Sequence, residues 1–593
     1  MPHHSSTRGS QFRRCQEALR GGPPSFFSAL AVFFCTTTSL LSQTVQHLST
    51  TQPGGMPGLP VMGGIEELTN GVRIHWDGPS GYYQVFQKSN NLSAPWVALG
   101  QATNLVRYAV ITRLYSNAFF RVSGPAPKYA GTKVCVTCHS SVCQYETNTP
   151  HASAFSNKEF AAQGGQTNSL CLPCHTVGYG LPTGFNLTNK SGIFSYSTNL
   201  AGVQCENCHG PAANHAASPD DPTVVPRVEI AATVCGGCHF ASPTAHTNDA
   251  PTFEEWNISE HAAVTPEALQ AMSSSTNNIR SCGVCHSGSA RLALIGGANP
   301  AVTLKNDFDV AITCAVCHDP HATNSNPVQL RNPLASTNNF ELTSNNVASV
   351  AAFTNKYSAS TSINLCAQCH NDRGAAWTDT ARAPHYSLQY NFLLGSVGEL
   401  FNGLTSVPAD FNPGPHSGLP SSASGSISGA FYLTNQCVAC HMQPGAAPAT
   451  THSHAFTPGY NVCLNCHDGQ AAQAALTPYL SNQVATVIFV LNLWAGTQTN
   501  SLLATNGVVA WEYTTPGGLS WQTNSSGWVT SWSLTNPVNF TGPNAAGQAL
   551  IPDNIKKARF DLYLVLNDGS FGVHNPFFAL NLLYSAENFI IQE

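Results

Sequence analysis

The sequence predicts a chain of short helices and loops, mainly α and low in regular structure. A small N-terminal β-sandwich-like domain precedes it and a mixed α/β C-terminal domain follows. Three observations predict this. A Cys-x-x-Cys-His motif recurs nine times between Cys135 and His467, separated by Asn-, Ser-, Gly- and Pro-rich stretches. Upstream, short apolar/polar alternations stand between turn residues. Downstream of about residue 480 the cysteines stop and two helical patterns close the chain. The chain has 593 residues, enough for several domains, yet only 9% are charged, against about 25% in ordinary globular proteins. A net charge of −6 gives no basic field, so nucleic acid is excluded as an expected partner.

Residues 1–43 read as a signal peptide. Arg13, Arg14 and Arg20 precede an uncharged apolar run from Phe26 to Leu41, and small residues near Ser42 suit cleavage. The run is short for a membrane anchor, and Cys35 fits a lipoprotein site poorly. Residues 44–60, rich in Thr, Gln, Pro and Gly, read as a linker. Residues 61–124 form the expected small β domain. Val72-Arg-Ile-His-Trp, Tyr82-Tyr-Gln-Val-Phe and Ala118-Phe-Phe-Arg-Val alternate, and His75 within them reads as structural.

Residues 128–475 hold the repeats. They are Cys135/Cys138/His139, Cys171/Cys174/His175, Cys205/Cys208/His209, Cys235/Cys238/His239 and Cys282/Cys285/His286, then Cys314/Cys317/His318, Cys366/Cys369/His370, Cys437/Cys440/His441 and Cys463/Cys466/His467. Two thiols on one helical turn can each form a thioether with a haem vinyl group, and the adjacent His then meets the iron as proximal ligand. Zinc ribbons use two knuckles per metal, so nine knuckles do not pair, and zinc gives no reason for the recurring His. Disulfides fail on the same ground. The expectation is nine covalent haems c, held in a multihaem cytochrome c fold whose core is haem.

Each iron needs a sixth ligand or an open site. Outside the motifs the region holds His151, His215, His246, His261, His321, His385, His416, His452 and His454, with His574 near the C-terminus. His452 and His454 share a short segment, and His454 is the favoured ligand of the two. The candidate distal set is therefore His151, His215, His246, His261, His321, His385, His416, His454 and His574. Met56, Met62, Met272 and Met442 are too few for general His/Met ligation, so mostly bis-His haems of low potential are expected. Cys143 reads as a buried thiol, or as a reactive one beside the first haem.

Gly-Val-Gln-Cys-Glu-Asn-Cys-His-Gly-Pro (202–211), Tyr129-Ala-Gly-Thr-Lys-Val-Cys-Val-Thr-Cys-His and Cys-Ala-Val-Cys-His-Asp-Pro-His resemble the cytochrome c-554 group. The last is also similar to doubled-motif cytochromes. The wider superfamily includes pentahaem nitrite reductase and octahaem hydroxylamine oxidoreductase. The resemblance covers about 128–470 and a Gly-Val-His-Asn-Pro segment at 572–576. It implies distal-ligand roles for the matching His151, His215, His261 and His321. The chain lacks the Cys-x-x-Cys-Lys haem of nitrite reductase, and nothing marks Lys158 as a ligand, so no catalytic residue carries over.

Residues 480–593 form the expected C-terminal domain. Val484 to Trp494 reads as helical, 505–548 carries β-like fragments, and Asp553–Leu566 and Pro576–Ile591 read as a helical pair. No transmembrane span is expected: the run from Val484 to Ala495 is short and interrupted by Asn492.

Two functions are open. One is electron transfer along the haems, in the periplasm or at the cell surface, to other redox proteins or an extracellular acceptor; end-to-end contact would make a homo-oligomer or filament. The alternative is an oxidoreductase in which one open haem binds a small nitrogen or sulfur compound. A structural protein with haems as folding cores is the third and weakest class.

Overall fold

The computed structural model describes the strands and the 93–96 turn between 61 and 123, then 127–146, 149–181, 183–240 apart from 227 and 229, and 251–264. It further describes 279, 281–295, 311–321, 327–332, 365–401, 416, 436–443, 452–465, 467–534 and 541–593. The signal peptide at 1–43, the linker at 44–60, His246 and Cys466 lie outside the described residues.

Six strands occupy the first region: β1 (Val61–Leu68), β2 (Gly71–Asp77), β3 (Tyr82–Ser89), β4 (Val97–Thr103), β5 (Tyr108–Ile111) and β6 (Ala118–Ser123). They make two three-stranded antiparallel sheets, ordered β1-β2-β5 and β4-β3-β6. Ile74 and Val85 are the central strands' buried residues. Successive side chains face opposite sides of a strand, so alternation in β2 and β3 produces one inward face.

Among the described residues from 127 to 467 the α-helices are short, four to eight residues each, and several sit on or beside the motifs. These include α1 (Thr132–Cys135), α2 (Leu172–His175), α3 (Cys205–His209), α4 (Ala232–Gly236), α5 (Gly283–His286), α6 (Cys314–Cys317) and α7 (Cys437–His441). The end of α3 is set by its neighbours: Asn207 Oδ1 accepts the Gln204 amide at 2.8 Å, and Gly210 (φ 77°) stops the helix. A hairpin of β7 (Leu187–Lys190) and β8 (Ile193–Tyr196) stands between α2 and α3. The side-chain core here is small: Tyr129, Phe155, Leu172, Val177, Phe185 and Leu200.

The C-terminal region differs. Helices α8 (Gly469–Gly496), α9 (Asp553–Asn567) and α10 (Pro576–Ile591), with the hairpin of β9 (Leu519–Thr523) and β10 (Val529–Leu534), enclose a continuous apolar core. Asp468 caps α8 by accepting the Ala471 amide at 3.0 Å. Leu480, Val484, Val487, Ile488, Leu491 and Trp494 recur at helical spacing along its buried stripe. The sequence expectation of a short, interrupted apolar segment is corrected here. The helix is 28 residues long, and by length and composition it is apolar enough to cross a membrane. Asn492 does not interrupt it; its Oδ1 accepts the Trp511 indole N–H at 2.9 Å. Within the described fold its apolar stripe lies in the core with α9 and α10.

A polar knot sits inside that core. The Arg559 guanidinium is fully buried; it donates to the carbonyls of Trp511 and Glu512 and to Gln548 Oε1, and stacks over the Tyr513 ring at 4.1 Å. Glu512 accepts from Tyr563 Oη at 2.6 Å, and burial pushes its carboxyl up to about 7. The same region carries the segment 380–401. Asn567 donates to the Pro384 carbonyl, Asn575 to the Leu393 carbonyl, and Asp561 accepts the Glu399 amide.

Candidate haem-binding sites

The motif turns are tied together by buried polar groups. Glu206, inside the third motif, is 1% exposed; its carboxylate accepts the amides of Ala130, Gly131 and Ala212 at 2.7–3.1 Å. Burial raises its carboxyl and the three amides oppose that rise. Gln204 Oε1 takes the Thr132 amide at 2.8 Å. Gly131 is required: its φ is +81°, and a Cβ would meet the Asn199 carbonyl at 2.8 Å. The first and third motifs are thereby locked side by side, with the Cys135 and Cys205 thiols as neighbours. Cys174 meets Cys238, Cys235 meets Cys314, Cys285 meets Cys369, and Cys366 meets Cys437 in the same way. The motifs so joined are spatial neighbours, with none of these thiols in a disulfide.

Cys138 and Cys208, the second thiols of the first and third motifs, lie in different surroundings. Cys138 is exposed, alone among the described motif cysteines. The reason is local: α1 ends at Cys135, and Cys138 falls in the turn beyond it. Cys208 is half-buried within α3, with the Cys238 thiol of the fourth motif in its vicinity. Three residues along a helix carry a side chain about 300° round the axis and 4.5 Å along it, so two thiols at this spacing can adjoin different neighbours. Cys171, Cys282, Cys317, Cys440 and Cys463 are half-buried and free of disulfides.

The histidines meet in twos. Ring centroids lie 6.4 Å apart for His139 and His215, 6.0 Å for His151 and His239, and 5.8 Å for His209 and His321. The separations are 6.1 Å for His261 and His370, 5.9 Å for His286 and His385, and 6.3 Å for His318 and His454. His416 and His467 are 6.3 Å apart, and His441 and His574 are 6.2 Å apart. Each pair joins one motif His to one His from outside the motifs. A metal–imidazole bond is about 2.0–2.1 Å, and the ring nitrogen lies roughly 1.1 Å from the centroid, so two imidazoles sharing one metal axis have centroids about 6.3 Å apart. Direct stacking would bring the rings closer; unrelated histidines would not repeat one spacing. Among the described residues no three His, Cys, Asp or Glu side chains converge as a metal cage.

Ring tautomers fit the same role. The Nδ1 atoms of His175, His318, His416, His441 and His454 lie 2.8–3.1 Å from the carbonyl oxygens of Ala154, Val328, Val573, Phe456 and His452. A carbonyl can only accept, so Nδ1 carries the hydrogen and the Nε2 lone pair is left for a metal. Burial lowers the basicity of His151, His441 and His454, and with His370 nearby holds His261 down to about 4. Neutral imidazole is the ligating form.

Not every sequence candidate is in a described pair. His175 stacks face to face on Phe160 at 4.1 Å, and His246 falls outside the described residues. His452 is exposed, with its Nδ1 2.9 Å from the Met442 carbonyl, while its neighbour His454 faces His318. Cys143 is buried and Lys158 is exposed at the start of a short helix. Sequence reasoning did not single out Glu206 or Asp568. The first was visible only as a charged residue inside a motif. The second lies 2.7 Å from His574 Nδ1, and nothing in its spacing announces that.

Residues 134–210 match the family model described as cytochrome c554 and c-prime. That stretch belongs to the cytochrome c-554 group. With the motif repeated well beyond the c-554 segment, the chain is a multihaem c-type cytochrome, and haem c is its cofactor. Cytochrome c-554 of Nitrosomonas europaea is 29% identical over 126 residues, 19% of this chain and 49% of that protein. The chain thus spans about half the length of the c-554 relative it matches. Two solved structures are similar at low identity. The undecahaem cytochrome from the S-layer of Carboxydothermus ferrireducens gives a TM-score of 0.45 at 21% identity, covering 79% of this chain and 70% of its own. The outer cell wall cytochrome OcwA gives 0.43 at 18%, covering 78% and 99%.

Proposed function

We propose that this protein is an electron-transfer cytochrome carrying nine haems c, all axially held by two histidines, and that it works outside the cytoplasm. One observation carries the reading: eight motif histidines each face a second imidazole at 5.8–6.4 Å. Bound haem iron supplies a one-electron couple. What the chain supplies is placement. The motif cysteines, Cys138 and Cys208 among them, would hold each haem covalently, the paired histidines would ligate its iron, and the carbonyl acceptors behind His175, His318, His416, His441 and His454 fix those rings' tautomers. Iron held on both faces by protein nitrogen has no position for a substrate, which favours transfer over catalysis.

For the ninth distal ligand we take His246, with His452 outside the set. The signal peptide expected at 1–43 supports export; the acceptors that fit are other redox proteins or an extracellular acceptor. The β1–β6 domain is a candidate attachment module.

Resting-state EPR of the mature protein tests the reading. It should show low-spin ferric signals only. A high-spin ferric signal, or cyanide binding at one haem, would move the protein to the oxidoreductase class.

A further inference from the structure

The hydrogen bonds behind the axial rings are of unequal kind. Five rings end on backbone carbonyls, as described above; His370 Nδ1 lies 3.3 Å from Gln389 Oε1 and His385 Nδ1 3.1 Å from Ser387 Oγ. All seven partners are neutral. His574 Nδ1 instead lies 2.7 Å from Asp568 Oδ1, and the Asp568 side chain is 0% exposed. The opposite ring, His441, is held by the Phe456 carbonyl at 2.9 Å. This axial pair therefore has an acceptor behind each ring, one of them a buried carboxylate.

Asp568 is fixed by the fold. It is the C-cap residue of α9, and the Gly569 and Gly572 turn, both at positive φ, brings the chain round to His574 just before α10. Ser570 Oγ donates to Asp568 Oδ2, and the Ser570 amide reaches the same oxygen at 3.3 Å. The second carboxylate oxygen is thus occupied, and the first is left for the ring.

We propose that Asp568 is a potential-setting residue: its carboxylate, hydrogen-bonded to His574, makes the eighth-motif haem the lowest-potential of those whose ring partners are described. An anion accepting the Nδ1 hydrogen moves electron density onto Nε2 and places negative charge near the iron, and both effects favour the ferric over the ferrous form. Low local dielectric keeps the charge effective. Ser570 opposes it by drawing charge from the same carboxylate. The inference rests on His441 and His574 being an axial pair.

Spectroelectrochemical titration of the holoprotein tests it. In Asp568→Asn one haem of the set should be reduced more readily, its equilibrium shifted at least tenfold, about 59 mV for a one-electron couple. Asp568→Glu, which keeps the charge, should restore most of the shift. Ser570→Ala, which leaves more charge facing His574, should move the same haem the other way; it also carries the test if Asp568→Asn does not mature. Curves for Asp568→Asn or Ser570→Ala superimposable on the unaltered protein, or a shift shared equally by many haems, overturn the proposal. His574→Ala separates the two levels. One new high-spin haem there with no shift in Asp568→Asn refutes the tuning alone. No spin change refutes the axial pair as well.

Discussion

The haem region and the C-terminal region are built on opposite principles. Residues 469–593 bury a continuous set of Leu, Val, Ile, Phe, Trp and Tyr side chains between three helices and a hairpin. Among the described residues of 127–467, six apolar side chains between Tyr129 and Leu200 form a small cluster, Leu388, Phe392 and Val397 join the C-terminal core, and the α-helices run to eight residues at most, too short to persist alone. What the second region has instead is cysteine pairs and facing imidazoles. The difference teaches where each gets its folding energy: one from side-chain burial, the other from haem faces filling the space between motifs.

The sharpest way to break that contrast is to withhold haem. Full-length chain made without cytochrome maturation should be digested by protease across 127–467, while 469–593 is retained as a resistant fragment. Equal protection of both regions would erase the distinction. Leu491→Ala should cost about 2–5 kcal/mol of C-terminal stability and leave the haem spectrum unchanged. A spectral change would mean the haem sites depend on that core more widely than through 380–401 and His574. A smaller effect is expected from Glu206→Gln, which keeps one acceptor oxygen for three buried amides. It should cost about 1–3 kcal/mol, read in denaturant, and perturb the haems of the first and third motifs before others. If haems far from these two respond equally, the local lock described here is wrong.

The smallest expected effect concerns pH. Glu512 has a folded-state value of about 7, above its ordinary 4.5. The protonated acid therefore favours the folded C-terminal region below about 4.5, and that contribution is lost as pH rises to about 7. Glu512→Gln, which stays neutral, should flatten the dependence of melting temperature on pH across this window. An unchanged slope would remove Glu512 as its source.

Much of the site is legible in the sequence because it is local chemistry: thiol, thiol and imidazole on one turn must lie together. Histidine outside the motifs is also conspicuous in a chain with 9% charged residues. The pairing order is not legible. His151 follows the first motif but faces His239 of the fourth, and His385 follows the seventh but faces His286 of the fifth. Nor does the spacing distinguish exposed Cys138 from half-buried Cys208, since both are second thiols of the same motif. Such choices depend on how loops of no fixed pattern return, as do Glu206 reaching back to Ala130 and Asp568 meeting His574. In the C-terminal region helical spacing marked Asp553–Leu566 and Pro576–Ile591, and the structure has helices at Asp553–Asn567 and Pro576–Ile591. It missed the first half of α8, where Ala, Gln and Thr carry little amphipathic signal and the Asp468 cap sets the start.

The most direct measurement is the intact mass of the mature, denatured chain alongside its pyridine haemochrome. The account predicts nine covalently attached haems per polypeptide, one at each motif. A mass equal to the bare polypeptide, or a haemochrome of seven haems or fewer, would contradict it.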